Sequence, residues 1–166
     1  LNGGGSSDPD AQPLTYLWSV TVFPAAVTLE DATTSTPSFI ATTAGDYTVQ
    51  LLLNDGLVNS TDTVLVRILN VAPNADAGSD QTARPTQTVF LEPLASSDAN
   101  GDALTFTWTQ TSGVPAVVLA ADPTPGVFGF TAPDPAVGGN TSVLEFEVAV
   151  QDTAANVTRD RCYVRL

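Results

Sequence analysis

Apolar and polar residues alternate with a period of two through most of the apolar stretches of this chain. In Ser142-Val-Leu-Glu-Phe-Glu-Val-Ala-Val150, Leu144, Phe146 and Val148 alternate with Val143, Glu145 and Glu147. Successive side chains of a strand point to opposite faces, so the segment predicts a strand with one face in a core and one in water. Alternation with β-branched and aromatic enrichment predicts further strands over residues 14–23, 46–53, 61–69, 88–91, 104–110, 127–131 and 157–166. The turn residues of Asn54-Asp-Gly-Leu-Val-Asn59 and Gln151-Asp-Thr-Ala-Ala-Asn156 close two hairpins, and Ala132-Pro-Asp-Pro135 stops the strand before it. Helix signals are nearly absent, since Met is missing, Glu is scarce, and Thr, Val, Pro and Gly abound.

One part of this pattern occurs twice. Ser6-Ser-Asp-Pro-Asp-Ala-Gln-Pro-Leu-Thr-Tyr-Leu-Trp18 returns 90 residues later as Ser96-Ser-Asp-Ala-Asn-Gly-Asp-Ala-Leu-Thr-Phe-Thr-Trp108. A period of that length is too long for a solenoid and fits a duplicated small β domain. The chain therefore reads as all-β, with two β-sandwiches in tandem over residues 1–71 and 72–166. The boundary falls near Asn70-Val-Ala-Pro-Asn74, where Pro73 blocks continuation of a strand, and the short Pro-containing linker predicts a semi-rigid, in-line pair. Trp18 and Trp108 fall in matching central strands and are expected to be the core aromatic of each copy.

The copies are not equal. Residues 74–90 precede Leu91, and Leu91 aligns with Leu1. The first copy is thus expected to lack its N-terminal strand. Either a longer parent chain supplies that strand or a neighbouring subunit donates it, because an unpaired edge is a liability in a finished monomer.

Composition narrows the function. The net charge is −13 with five basic residues, all Arg. Nucleic acid and anionic lipid are unsuitable partners for such a surface, whereas divalent cations suit it. With no His and one Cys, Ser-His-Asp and Cys-His catalysis and zinc clusters are excluded. Cys162 lacks an internal disulfide partner and reads as a small buried hydrophobe in an alternating strand. No apolar run approaches the ~20 residues of a membrane-spanning helix, and the first residues lack the features of a signal peptide. The absence of Lys removes Lys–Asn isopeptide crosslinks.

The paired Ser-Ser-Asp…Leu-Thr-(Tyr/Phe)-x-Trp segments resemble the polycystic kidney disease (PKD) domain superfamily, and more narrowly the PKD-like, immunoglobulin-like modules of secreted microbial proteins. Ala75-Asp-Ala-Gly-Ser-Asp-Gln-Thr82 resembles their opening strand, residues 96–108 their B–C region and Glu147-Val-Ala-Val-Gln-Asp152 their strand F. The Trp-Asp-Phe-Gly-Asp-Gly motif of typical members is missing. Ser-Val-Thr-Val-Phe follows Trp18 and Thr-Gln-Thr-Ser-Gly follows Trp108, which points to a sister branch. The resemblance implies tandem immunoglobulin-like sandwiches at the cell surface or outside the cell, acting as spacers, adhesion units or accessory domains rather than as catalysts.

Asp98-Ala-Asn-Gly-Asp102 carries oxygen ligands at alternate positions with a Gly that permits a sharp turn. Calcium takes about six to eight oxygens, and alternating Asp and Asn in a tight loop present several to one point. Asp98, Asn100 and Asp102, completed by Asp152 at the end of the strand-F segment, form the candidate structural calcium site. Asp8, Asp10 and Asp55 are the weaker counterpart in the first copy, where Gln12 replaces the third acid. The competing reading of both loops is a solvated Asx turn without metal. Three N-glycosylation sequons begin at Asn59, Asn140 and Asn156.

These features predict a non-catalytic extracellular structural or adhesion module, a stiff spacer in a larger surface or secreted protein. Its partners would be other domains of the same chain or neighbouring subunits. One alternative is a filament or sheath subunit assembled by strand donation into the first domain. Another is an accessory carbohydrate-binding module of a secreted hydrolase with a glycan ligand. The few aromatics fall in strands and look committed to cores, which ranks that last reading lower.

Overall fold

Ten strands carry the whole chain in the computed structural model, which describes residues 1–166. The chain divides into two compact units, Leu1–Asn70 and Val71–Leu166.

Unit 1 holds β1 (Thr15–Val22), β2 (Gly45–Asn54) and β3 (Asn59–Ile68) in one antiparallel sheet of order β1-β2-β3. Trp18 stands opposite Leu51, and together with Val49 they form the buried cluster. The indole N–H of Trp18 donates to the Thr34 carbonyl at 3.0 Å, so the one polar atom of the core aromatic is satisfied. Tyr47 is fully buried, packs against Phe39 with ring centroids 5.9 Å apart, and donates its hydroxyl to the Thr43 carbonyl at 3.0 Å. The second layer is a looped segment closed by an antiparallel bridge between Glu30 and Ser38. The Gly3 N–H and the Leu1 backbone nitrogen tie residues 1–3 to it by donating to the Ser35 and Pro37 carbonyls at 2.7 and 2.9 Å. Across β2 and β3, Arg67 grips Asp46 through two contacts of 2.6 and 2.9 Å. That hydrogen-bonded contact holds the Asp46 carboxyl below its ordinary range.

Unit 2 holds β4 (Gln81–Thr82), β5 (Thr88–Leu91), β6 (Thr105–Ser112), β7 (Ala120–Ala121), β8 (Phe128–Thr131), β9 (Val143–Gln151) and β10 (Val157–Arg165). One sheet has the order β4-β10-β9-β6, with β4 parallel to β10, and the other has the order β5-β8-β7. Every second residue of β9 from Leu144 to Val150 is buried, as its alternation predicts. Glu145 and Glu147 lie on the other face, where Arg161 bridges both at 2.9 Å. Trp108 repeats the role of Trp18, donating its indole N–H to the Gly126 carbonyl at 2.9 Å. Phe130 and Phe146 pack with centroids 4.9 Å apart. Cys162 is buried, and burial with the nearby Asp80 and Asp160 charges pushes its thiol up to about 11.

The fold is all-β with two immunoglobulin-like strand clusters. The expected strands appear within one or two residues of their ends. The structure adds β7, whose two residues carry no readable periodicity. The cores differ in size: thirteen buried residues in unit 2 against three in the unit 1 cluster. Part of the difference lies along the last strand. Cys162 and Val164 of β10 are buried, whereas β3 is exposed over most of its length and its outer edge carries no partner strand. No helix of the structure is long and apolar enough to cross a membrane.

Candidate metal site

The register of unit 2 brings two loops to one end of its larger sheet. Thr105, which opens β6, pairs with Gln151, which closes β9. The loop entering β6 and the turn leaving β9 therefore begin side by side, and Asp98, Asp102 and Asp152 belong to these two segments.

Asp98 organises the first loop. Its Oδ1 accepts the Asn100 and Asp102 backbone N–H groups at 2.7 and 3.2 Å, and its carbonyl accepts that of Gly101 at 3.2 Å. Gly101 has φ +76°, a left-handed conformation that a side chain would strain. This Asx turn curls the loop so that residues 98 and 102 face the same way. The second oxygen, Asp98 Oδ2, is buried and receives no hydrogen bond.

The β9–β10 turn supplies the third carboxylate. Asp152 is the single buried charged residue of the chain, 5% exposed. Its Oδ1 accepts the backbone N–H of Asn156 and its Oδ2 the side-chain amide of Asn156, both at 2.8 Å. The neighbouring Thr153 hydroxyl donates to Asp102 Oδ1 at 2.9 Å, which links the two loops.

Asp98, Asp102 and Asp152 each offer one carboxylate oxygen within 4.8 Å of the other two. At that spacing and an effective dielectric of about 20, each like-charged pair costs on the order of 3 kcal/mol. A divalent cation among the three reverses the sign of that interaction. The donor set is all oxygen, which suits calcium or magnesium and disfavours softer metals. Asn100 has a different partner: its Oδ1 accepts the Val71 N–H at 2.6 Å, which ties the loop to the first residue of the unit.

The loop of the first copy folds alike, with Asp8 Oδ1 accepting the Asp10 and Gln12 N–H groups at 2.8 and 3.1 Å. Asp8 and Asp55 line one surface depression, but Gln12 stands in the place of the third acid. Asp55 is spent on its own turn, where Oδ1 accepts the Leu57 and Val58 N–H groups at 2.7 Å each, and these bonds hold its carboxyl below the ordinary range. Asp8, Asp10 and Asp55 form no three-carboxylate group.

The sequons lie where turns meet strands. Asn59 opens β3 and accepts the Asn54 side-chain amide at 2.7 Å. Asn140 donates its amide to the Asp134 carbonyl at 2.6 Å. Asn156 is the brace of Asp152, a role sequence reading missed. The signal was present as an Asp followed four residues later by Asn across a turn.

Among solved structures, a nucleoside hydrolase-related protein from Saccharophagus degradans associated with carbohydrate metabolism is similar at 18% identity and a TM-score of 0.47, covering 58% of this chain and 26% of that one. The endo-fucoidan hydrolase MfFcnA4 of glycoside hydrolase family 107 is similar at 18% identity and a TM-score of 0.40, covering 94% and 24%. Drosophila N-cadherin EC1-4 is similar at 10% identity and a TM-score of 0.45, covering 93% and 42%. This chain thus spans about a quarter of the length of the first two. A family model described as K319L-like, PKD domain, matches residues 1–68 and 77–165. With nearly all of both units matched, the chain belongs to the K319L-like PKD domain family.

Proposed function

We propose that this non-catalytic PKD-type module works as a spacer or adhesion unit of a larger extracellular protein, with its second domain clipped by a calcium ion held by Asp98, Asp102 and Asp152. Domains of this kind are typically extracellular or cell-surface modules. The observation that carries the calcium reading is the buried Asp98 Oδ2, which receives no donor while two further carboxylates lie within 4.8 Å. An orphaned buried acceptor costs about 1–3 kcal/mol and more when charged, and a cation offsets that cost. The clip would join the loop before β6 to the β9–β10 turn, so its effect is on stability rather than chemistry. Backbone carbonyls and water would complete the coordination that three carboxylates begin.

The test is thermal unfolding of the 166-residue chain with calcium from micromolar to millimolar and with chelator. Calcium is expected to raise the midpoint of unit 2, and Asp98→Asn with Asp152→Asn to abolish the shift. An unchanged midpoint at millimolar calcium overturns the clip and leaves the family assignment in place.

A further inference from the structure

The smaller sheet of unit 2 turns one aromatic ring away from its core. Val89 and Leu91 of β5 are buried, and Phe90 between them is 42% exposed. Phe90 thus departs from the expectation that the aromatics of this chain serve its cores. Across the sheet it pairs with Gly129 of β8, and Gly129 pairs with Ala120 of β7. The row runs from a ring over two positions that carry almost no side chain. The ring lies against the glycine: a Cβ at residue 129 would stand 3.2 and 3.3 Å from two carbons of its edge. Gly129 is the seat of the ring, and the pairing of β5 with β8 fixes where it stands.

Two depressions meet at Phe90. One, of about 280 Å³, extends toward β8 and β7 and is lined by Gly129, Ala120, Val118, Thr131 and Asp122. The other, of about 390 Å³, extends toward the segment before β5 and is lined by Gly78, Ser79, Gln81 and Glu92. Thr88 and Phe90 belong to both. The two therefore form one groove that crosses the strands, with the ring as its ridge.

The lining selects the occupant. The backbone here has little to offer, since Gly129 is paired on both sides and the Phe90 carbonyl accepts the Gln81 side-chain amide at 2.7 Å. A peptide strand takes its affinity from the open backbone of a sheet edge, and a groove across strands does not supply it. Recognition falls to the hydroxyls of Ser79, Thr88 and Thr131, the carboxylates of Glu92 and Asp122, and the ring face. Hydroxyls donate and accept, and carboxylates accept. The negative face of an aromatic ring attracts polarised C–H groups. A sugar ring meets all of these at once, with a C–H face and hydroxyls around its rim. Charge settles which sugar. No Arg lines either depression, and the chain carries −13. A sulfated or uronic-acid glycan would meet repulsion with no cation to offset it.

We propose that this groove on the outer face of β5 and β8 binds a linear neutral oligosaccharide, with one sugar ring stacked on Phe90 and its neighbours hydrogen-bonded in the two depressions. The glycan is the ligand of the adhesion reading, and the proposal rests on that reading. It does not depend on the cation cluster, so a chain that binds no glycan remains a spacer and keeps its calcium clip.

The test titrates the isotope-labelled 166-residue chain with cellohexaose, laminarihexaose, mannohexaose and xylohexaose, and with hexagalacturonate as the anionic control, following backbone amides by NMR. The expected result is saturable binding of a neutral hexasaccharide, with shifts centred on residues 78–92 and 118–131. Phe90→Ala is expected to weaken it about tenfold, the scale of one well-packed aromatic contact, and Phe90→Trp to retain it. Trp108 fluorescence in Phe90→Ala reports that unit 2 remains folded. Should that variant unfold, Thr88→Arg fills the groove where its two halves meet. The proposal is overturned if every neutral hexasaccharide leaves these amides unmoved at millimolar concentration, or if Phe90→Ala or Thr88→Arg binds as the parent chain does. It is also overturned by hexagalacturonate binding as tightly as the neutral sugars. A Lys-rich peptide that moves the same amides where no glycan does would overturn it too, making a basic protein segment the occupant.

Discussion

Asn156 holds both oxygens of the Asp152 carboxylate, its backbone N–H donating to Oδ1 and its side-chain amide to Oδ2, each at 2.8 Å. The bracket fixes a buried acid at the turn between β9 and β10 and aims it toward Asp98 and Asp102. Asn156→Ala keeps the backbone bond and removes the other, which was made to a charged group. A loss of about 1.5–3 kcal/mol in unit 2 stability is expected in urea unfolding.

If calcium occupies the cluster, it stabilises unit 2 by mass action, by about 2.7 kcal/mol at one hundred times the dissociation constant. Asn156→Ala is expected to weaken that gain, because it frees Asp152 from its fixed orientation. Unit 1, which holds no three-carboxylate group, is expected to unfold at the same denaturant concentration with and without calcium.

The two Trp residues report one unit each. The core cluster of unit 1 has three buried residues against thirteen in unit 2, and burial of apolar surface is the dominant favourable term in folding. Fluorescence of Trp18 in a Trp108→Phe chain is expected to change at lower urea than fluorescence of Trp108 in a Trp18→Phe chain. Coincident transitions would show that the smaller core does not set the stability of unit 1.

Gly113 has φ +97°, and a Cβ there would lie 2.6 Å from a Leu144 methyl and 2.7 Å from the Val143 carbonyl. Gly113→Ala is expected to destabilise unit 2 by on the order of 2–4 kcal/mol through backbone strain and overpacking. At Gly138 a Cβ meets open space, and Gly138→Ala is expected to change stability by no more than about 0.5 kcal/mol. Equilibrium urea curves of the two variants decide both.

The Cys162 thiol is raised to about 11 from its ordinary 9.0, chiefly by burial and then by Asp80 and Asp160. The folded state therefore holds the proton more tightly than the unfolded chain. The associated stability is fully present below pH 9 and is lost as pH rises toward about 11. Unit 2 is expected to lose stability over that window, and Cys162→Ala to flatten this part of the profile. Native Cys162 is also expected to resist iodoacetamide at pH 8 until urea unfolds the unit.

Much of this molecule was legible in its sequence because strands write themselves with a period of two. The alternation of Leu144, Phe146 and Val148 with Glu145 and Glu147 set the buried face of β9, and the repeated segment ending in Trp18 and Trp108 marked two domains. The Asx turns of Asp8 and Asp98 were equally legible, since they rest on neighbours two and four residues away. What those turns face is a long-range matter. Residues 98 and 152 meet only because the register of β6 on β9 places Thr105 beside Gln151, and no local pattern states a register. In unit 1 the equivalent register sets Thr15 beside Asn54 and brings Asp8 and Asp55 to one surface depression, but Gln12 stands where unit 2 has Asp102, so Asp8, Asp10 and Asp55 form no three-carboxylate group. Alignment of the two copies set Trp18 against Trp108 and Leu1 against Leu91. Only the tertiary structure showed that Ser60, Asp62 and Val64 stand at the register positions of Thr158, Asp160 and Cys162, because pairing between strands is decided by the whole sheet and not by either strand alone.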